Sequence, residues 1–161
     1  MPDAVLVVLV DPYDPVTGLL VPAVAQRILA FSREHFCELD PEMYARNIMG
    51  RLWARDPRVA VGALVEAATS KVVGHAVATI EEDGRNRWVF ISQCKADGNV
   101  GDAVKRAILL ADQWGRAQGA TQMVMSTPRA DAAWKRKYGF DTMRHLMIRK
   151  LGVPVTEEAE A

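Results

Sequence analysis

A strand that runs through a short glycine-bearing turn into a long amphipathic helix constrains this chain more than any other feature. Trp88 to Cys94 is mostly apolar in the manner of a buried strand, and Val100, Ala103, Val104, Ala107, Ile108, Ala111 and Trp114 then recur at three- and four-residue steps. Between them lies Lys95-Ala96-Asp97-Gly98-Asn99-Val100-Gly101-Asp102-Ala103. The spacing predicts a helix capped by Asn99, with Asp102 making the reciprocal contact of a capping box and Gly119 ending it. A helix start of this kind offers unpaired N–H groups and the positive end of the helix dipole, so it can hold phosphate oxygens. Gly98, Gly101 and the small Ala103 leave room for a ligand, and Lys105 and Arg106 add charge. Against this, Asp97 and Asp102 flank the same N–H groups, and Asp102 can satisfy them itself. An ordinary turn and a capped helix is the competing reading. Neither a dinucleotide fingerprint nor a P-loop is present, because the glycine spacing and the Gly-Lys-Ser/Thr ending are absent.

The rest of the chain supplies a sheet for this unit to join. Ala4 to Val10 reads as a buried strand, followed by the turn-rich Asp11, Pro12, Asp14 and Pro15. Thr17 is placed to cap a helix reaching about His35, with Leu20, Val24, Ile28 and Phe31 near one face. Asp40 followed by Pro41 opens a second helix, whose buried side carries Tyr44, Ile48 and Leu52, and Asp56-Pro57 ends it. Val59 to Ala67 and Lys71 to Ile80 then form a hairpin about Ala68-Thr69-Ser70, and a turn from Glu82 to Asn86 leads into Trp88 to Cys94, which predicts an antiparallel meander. After the long helix, Thr121 to Thr127 is a strand, Pro128 to Gly139 contains a short helix, and Met143 to Leu151 is a closing strand. The expected fold class is α/β (α+β mixed), a mixed sheet flanked by helices on both faces, with a right-handed crossover between its parallel strands.

A chain of 161 residues fits one domain, here residues 1–152, with the small acidic stretch 153–161 as a flexible tail. Twenty Lys and Arg balance twenty Asp and Glu, so net charge argues for neither a nucleic acid nor a membrane partner. Ala4 to Val10 is too short to span a bilayer, and the opening residues lack the basic start of a signal peptide, so a cytoplasmic location is expected. Cys37 and Cys94 read as buried thiols, and two cysteines with three scattered histidines fit no zinc spacing, so no metal is expected. A free edge strand such as Met143 to Leu151 allows a homodimer.

Element order and local sequence together resemble the GNAT superfamily of acyl-CoA-dependent N-acyltransferases. The likeness covers Ala60 to Lys150, and the first sixty residues by element order. It rests on Gly98, Asn99-Val100, Gly101, Asp102, Ala103, which is similar to the family's turn of Arg or Gln, two residues, Gly, one residue, Gly or Ala. It rests also on Ala133-Trp134-Lys135-Arg136-Lys137-Tyr138-Gly139-Phe140, which is similar to its aromatic segment ending in Gly-Phe. The resemblance implies that the fourth strand splays from the fifth and that acetyl-CoA or another acyl-CoA lies in the opening. Ser92, Gln93, Cys94, Gly98, Asn99, Val100, Gly101, Asp102 and Ala103 would then hold the cofactor. It implies transfer of a small acyl group to an amine of a small molecule or a protein. Two departures stand out. Gly98 replaces the basic or amide residue, and Lys135 replaces the Tyr that often protonates the departing thiolate, while Tyr138 lies three residues further on.

Side chains for proton transfer are therefore only candidates: Lys135, Tyr138 and, for a base, Glu81. Glu81, Glu82 and Asp83 read by default as a solvated turn, and Glu66 interrupts the apolar run from Val59 but can point outward from an alternating strand. His75 in an apolar strand reads as a core histidine with one backbone hydrogen bond, and Cys94 as a packed thiol. Trp53, Trp88, Trp114 and Trp134 read as core or pocket-wall residues, and Arg85-Asn86-Arg87 as a solvated basic tip. The alternatives to an enzyme are a catalytically inactive structural or interaction protein of this fold, and a non-catalytic acyl-CoA-binding module.

Overall fold

The computed structural model describes residues 4–35, 40–125 and 136–140. The chain divides into two compact units, Met1–Pro128 and Arg129–Ala161. In the first, the elements run β1 (Val5–Leu9), a 3-10 turn (Thr17–Leu20), α1 (Val21–His35), α2 (Pro41–Trp53), β2 (Val59–Glu66), β3 (Val72–Asp83), β4 (Asn86–Ala96), α3 (Ala103–Ala117) and β5 (Gln122–Met125). The sheet order is β1-β2-β3-β4-β5, antiparallel through β4 and parallel between β4 and β5. The mixed sheet and the meander expected from the change of hydrophobic period are both present.

Alternation along the strands divides the core into two layers. Val61, Ala63, Val65 and Val77 face α1 and α2, where they pack with Val24, Ile28, Ala45, Ile48 and Leu52. Ala78, Ile80, Val89 and Ile91 face the other way, against Ala111 and Trp114 of α3. Helices therefore cover both faces of the sheet.

Local starts and stops follow short-range chemistry, with three corrections. Asp40 caps α2 as expected, its side chain accepting from the Met43 N–H at 3.0 Å with Pro41 in the first turn. Thr17, however, caps nothing: the Asp14 carboxylate accepts from the N–H groups of Val16 and Thr17, each at 2.8 Å, and starts the 3-10 turn that leads into α1. Trp53 is 46% exposed rather than core, its ring edge-on to Tyr13. Arg87 is no solvated tip, since it donates to the Gln118 carbonyl at 2.6 Å and pairs with Glu82, tying the hairpin to the end of α3. In the second unit Arg136–Tyr138 is helical and Gly139 has φ +72°, the left-handed form of a helix-terminating glycine. Cys37, Trp134, Lys135, the strand Met143 to Leu151 and the tail 153–161 lie outside the described residues.

Two helical glycines make opposite demands. A Cβ on Gly115 of α3 would lie 2.2 Å from Val89 Cγ2, so the close seating of α3 on β4 requires its absence. A Cβ on Gly50 of α2 would meet nothing within 4 Å. Gly50→Ala is expected to raise stability by about 0.5–1 kcal/mol through helix propensity alone. Gly115→Ala should lower it by about 1–2 kcal/mol despite the same propensity gain, because a stiff valine must move. Urea melts of the two variants beside the parent check the contrast; equal effects would mean that α3 is not seated as described.

Candidate functional site

The site is organised by one irregularity in β4. Val77 pairs with Gln93 but Ala78 pairs with Ile91, so Ser92 is the extra residue of a β-bulge. Before the bulge Val89 and Ile91 face α3; after it Cys94 does. The phase shift turns the two consecutive residues Ser92 and Gln93 towards the α1 and α2 layer. The Ser92 hydroxyl pairs there with the Tyr44 phenol of α2. Gln93 Nε2 donates to Ser32 Oγ at 2.7 Å and to the Ile28 carbonyl at 3.3 Å.

With the Gln93 amino group so engaged, its Oε1 faces His75 Nε2 at 2.9 Å and accepts from it. His75 is thus held as the Nε2–H tautomer, with Nδ1 buried and unpartnered among the described residues. The ring is 1% exposed and meets the Phe31 ring edge-on. Desolvation pushes its pKa down to about 4, against the opposing pull of the Gln93 bond. Two expectations are corrected here. His75 bonds to a side chain instead of the backbone, and Gln93, at 0% exposure with its amide engaged at both ends, has no side-chain atom to offer a cofactor. Ser92 is buried likewise, so any ligand contact on this strand must be to backbone.

Among the described residues, such backbone is left without a partner strand on the β5 side. β5 pairs with β4 only from Trp88 to Ile91, so β4 continues from Ser92 to Ala96 beyond the described end of that pairing. The strand then reaches the glycine turn. Gly98 and Gly101 have φ +66° and +62°, and a Cβ on either would meet nothing within 4 Å, so the turn is open on its outer side. Asn99 caps no helix: its Oδ1 accepts from the Gly101 N–H at 3.0 Å and shapes the turn, and α3 starts four residues later at Ala103. Ala103 was expected to leave room for a ligand, but it is fully buried, and its small side chain serves packing.

The two acids that stood against an anion here are both committed elsewhere. Asp102 makes no capping bond; its carboxylate accepts from Arg106 Nε at 3.0 Å. Arg106 also donates to the Val5 carbonyl at 2.6 Å. Asp97 receives a two-pronged contact from Arg27 of α1, at 2.8 and 3.2 Å, which holds its carboxyl below the usual range. The first-turn N–H groups of α3 therefore have no side-chain cap, and their acidic neighbours are neutralised.

Of the acid–base candidates, Glu81 is not brought to this place. Glu81 lies opposite Trp88, three β3 residues beyond the bulge, which is about 10 Å along the strand, and it accepts from Thr79 Oγ1 at 3.0 Å. Tyr138 is described only within the second unit. Cys94 packs with the α3 layer, as expected of a structural thiol. Tyr44 was missed as a site residue because its spacing with Ile48 and Leu52 accounts for it as core. Among the described residues no group of acids, cysteines and histidines could hold a metal, and no helix is long and apolar enough to cross a membrane.

Burial of neutral His75 makes stability depend on pH. In the unfolded chain the ring takes up a proton near 6.5, whereas in the fold it does so only at about 4. The unfolded state therefore binds more protons between those values, so stability is full above 6.5 and falls with pH through this window. The loss is expected to reach about 2 kcal/mol between about pH 7 and about pH 5. Chemical melts across this range should show it, and in His75→Gln that part of the slope should vanish. A slope unchanged in the variant would assign the effect to other groups.

No family model matches the chain, and no curated protein matches it by sequence. Its fold does match solved structures. Glucosamine-6-phosphate N-acetyltransferase from Arabidopsis thaliana superposes with TM-score 0.66 at 10% identity, over 92% of this chain and 99% of that one. An acetyltransferase from Trypanosoma brucei gives 0.63 at 14% identity, over 91% and 99%. A predicted acetyltransferase with acetyl-CoA from Clostridium acetobutylicum gives 0.64 at 13% identity, over 90% and 96%. The chain thus has the fold of the GNAT acetyltransferases.

Proposed function

We propose that this protein is an N-acyltransferase that moves an acetyl or other small acyl group from acyl-CoA to an amine of a small molecule or a protein. The observation that carries the reading is the stretch Ser92–Ala96 of β4, set between the bulge and an open turn at the start of α3. A pantetheine arm has about thirteen bonds from phosphorus to sulfur, the reach of about four extended residues or roughly 15 Å. Ser92 to Ala96 spans roughly 13 Å. An arm whose phosphates lie at Gly98–Asp102 and whose amides continue the sheet therefore carries its thioester back along Ser92–Ala96 towards the bulge.

The acyl-CoA supplies an activated thioester. The chain's share of the work is then positional. The N–H groups of the turn and of the first turn of α3 hold phosphate oxygens, with no carboxylate competing. Backbone N–H groups at the bulge, where regular pairing is interrupted, polarise the thioester carbonyl. The surrounding packed layers exclude water and orient the attacking amine. Direct attack needs no enzyme nucleophile.

Calorimetry with acetyl-CoA and coenzyme A, followed by thiol release over a panel of amines, tests the reading. Saturable binding is expected, and no binding at millimolar ligand sinks it. Binding without thiol release across the panel would favour the non-catalytic acyl-CoA-binding module. The placement of the phosphates needs its own variant. Gly98 and Gly101 are unsuitable, because their positive φ strains any replacement whether or not a ligand binds there. Val100→Glu sets a carboxylate in the turn and should weaken acetyl-CoA about tenfold by repulsion. Acetyl-pantetheine, which lacks the phosphates, should bind the variant and the parent equally. Equal weakening of both ligands would place the phosphates elsewhere.

A further inference from the structure

Strand β1 ends the described sheet on the side away from β5. Its backbone groups alternate between the two sides of the strand. The Val10 N–H donates to the Val61 carbonyl and the Ala4 carbonyl accepts from the Ala67 N–H, both at 2.9 Å, so the even-numbered residues serve β2. Val5, Val7 and Leu9 therefore turn their N–H and C=O groups outward. Among the described residues only the Val5 carbonyl of this set has a partner, Arg106 of α3 at 2.6 Å. Monomeric proteins blunt such an edge with charges, prolines or bulges. The run Val5-Leu6-Val7-Val8-Leu9 has no charge and no proline, and it pairs with β2 without a register shift. Leucines border the edge on both faces. Leu6 and Val8 pair with Val65 and Ala63 of the α1 and α2 layer, and Leu6 is 48% exposed. Leu9 lies on the opposite face, 44% exposed. Leu109 of α3 is 57% exposed and stands three residues beyond Arg106. Because α3 returns from β4 to its parallel neighbour β5, it runs in the direction of β1. Leu109 is thus about 4.5 Å further along than the residue that reaches Val5, which is about the level of Val7.

We propose that β1 is an interaction edge whose partner is β1 of a second copy of this chain, paired antiparallel about a two-fold axis at Val7. The inference does not depend on acyl transfer. The outward residues Val5, Val7 and Leu9 are symmetric about Val7. An axis there sets Val7 against Val7 and Val5 against Leu9, and the outward N–H and C=O groups of all three gain partners. Arg106 reaches the Val5 carbonyl from α3, above the sheet, which leaves the second lone pair of that oxygen for a strand in the plane of the sheet. Cross-strand neighbours are then aliphatic throughout, Leu6 with Val8 and Val5 with Leu9, and no like charges meet. Leu109, at about the level of Val7, comes beside the axis, where it meets its own counterpart and loses its exposure to water. An unrelated strand would satisfy the same backbone groups but would bring no leucine to the axis. The second copy is therefore the occupant that covers both the edge and its apolar border. A five-residue edge makes a small interface, so a Kd on the order of 10 µM is expected.

Sedimentation velocity across a concentration series tests the pairing. The parent is expected to be mostly monomer at about 1 µM and mostly dimer at about 200 µM. Val7→Pro removes the N–H at the axis from both copies but keeps the bonds to β2, because that N–H points outward. It should raise the Kd at least about tenfold. Leu109→Glu changes an exposed position and brings two carboxylates together beside the axis, so it should weaken the dimer by a similar factor. Amide hydrogen exchange read by NMR locates the contact. Protection of Val7 and Leu9 should rise with protein concentration in the parent and stay low in both variants. A parent that is still monomeric at about 200 µM overturns the proposal. A dimer whose Kd neither variant changes, or one in which Val7 and Leu9 exchange as freely as in the monomer, is built on another surface and overturns it too. Should Val7→Pro fail to fold by circular dichroism, Leu109→Glu and the parent's exchange decide the matter.

Discussion

The side-chain amide of Gln93 joins the sheet to the helix above it. Fully buried, it gives two hydrogen bonds to α1 and receives one from β3, so three elements meet at one group whose polar atoms are satisfied. A buried amide without such partners would cost several times what any one of these bonds contributes, so the arrangement is close to all-or-none. It can be reached only if Gln93 points towards α1. On a regular β4 facing α3 at Val89 and Ile91, residue 93 would point to the opposite face. The bulge at Ser92 resolves the conflict, and the network at Gln93 holds the bulge in place.

From that irregularity the rest of the site follows mechanically. The bulge twists β4 locally and interrupts its ladder, and β4 runs on past the last residues paired with β5. Two ion pairs then tie the far end of β4 to α1, Lys95 with Glu34 at 3.0 Å and Asp97 with Arg27 at 2.8 Å. Exposed pairs of this kind contribute little to stability. The Arg27 contact matters more for charge: it sets a cation against the Asp97 carboxylate next to Gly98. Arg106 does the same for Asp102 on the other side.

How much of this was legible in the sequence depended on the range of the forces involved. Asp40-Pro41, the hairpin turns and the Gly119 stop are set by neighbours in the chain, and the structure has them where local chemistry puts them. The sheet and its two layers follow from period, which survives individual exceptions. Asn99 and Asp102 were misassigned because a short polar side chain serves equally well as a cap, an Asx turn or an ion-pair partner, and only Arg106 decides between them. Trp53 and Arg87 were misplaced for a related reason, since their partners lie far away in sequence. The bulge left no signal at all. Ser92-Gln93 interrupting an apolar run reads as two polar residues on opposite faces until Ser32 and Tyr44 are seen on the same side.

The same division explains how so little sequence likeness accompanies so much structural likeness. Identity of 10–14% with TM-scores of 0.62–0.66 over nearly whole chains is what a backbone-built site permits. Strand edges, positive-φ turns and helix starts recognise a ligand through groups every residue carries, so side chains around them are free to change. What must persist is the geometry, and here geometry is maintained by buried residues with no chemistry of their own: Gly115 against Val89, Ile28 beneath Gln93, Ala103 under the turn. Residues that carry chemistry face weaker constraints from the fold.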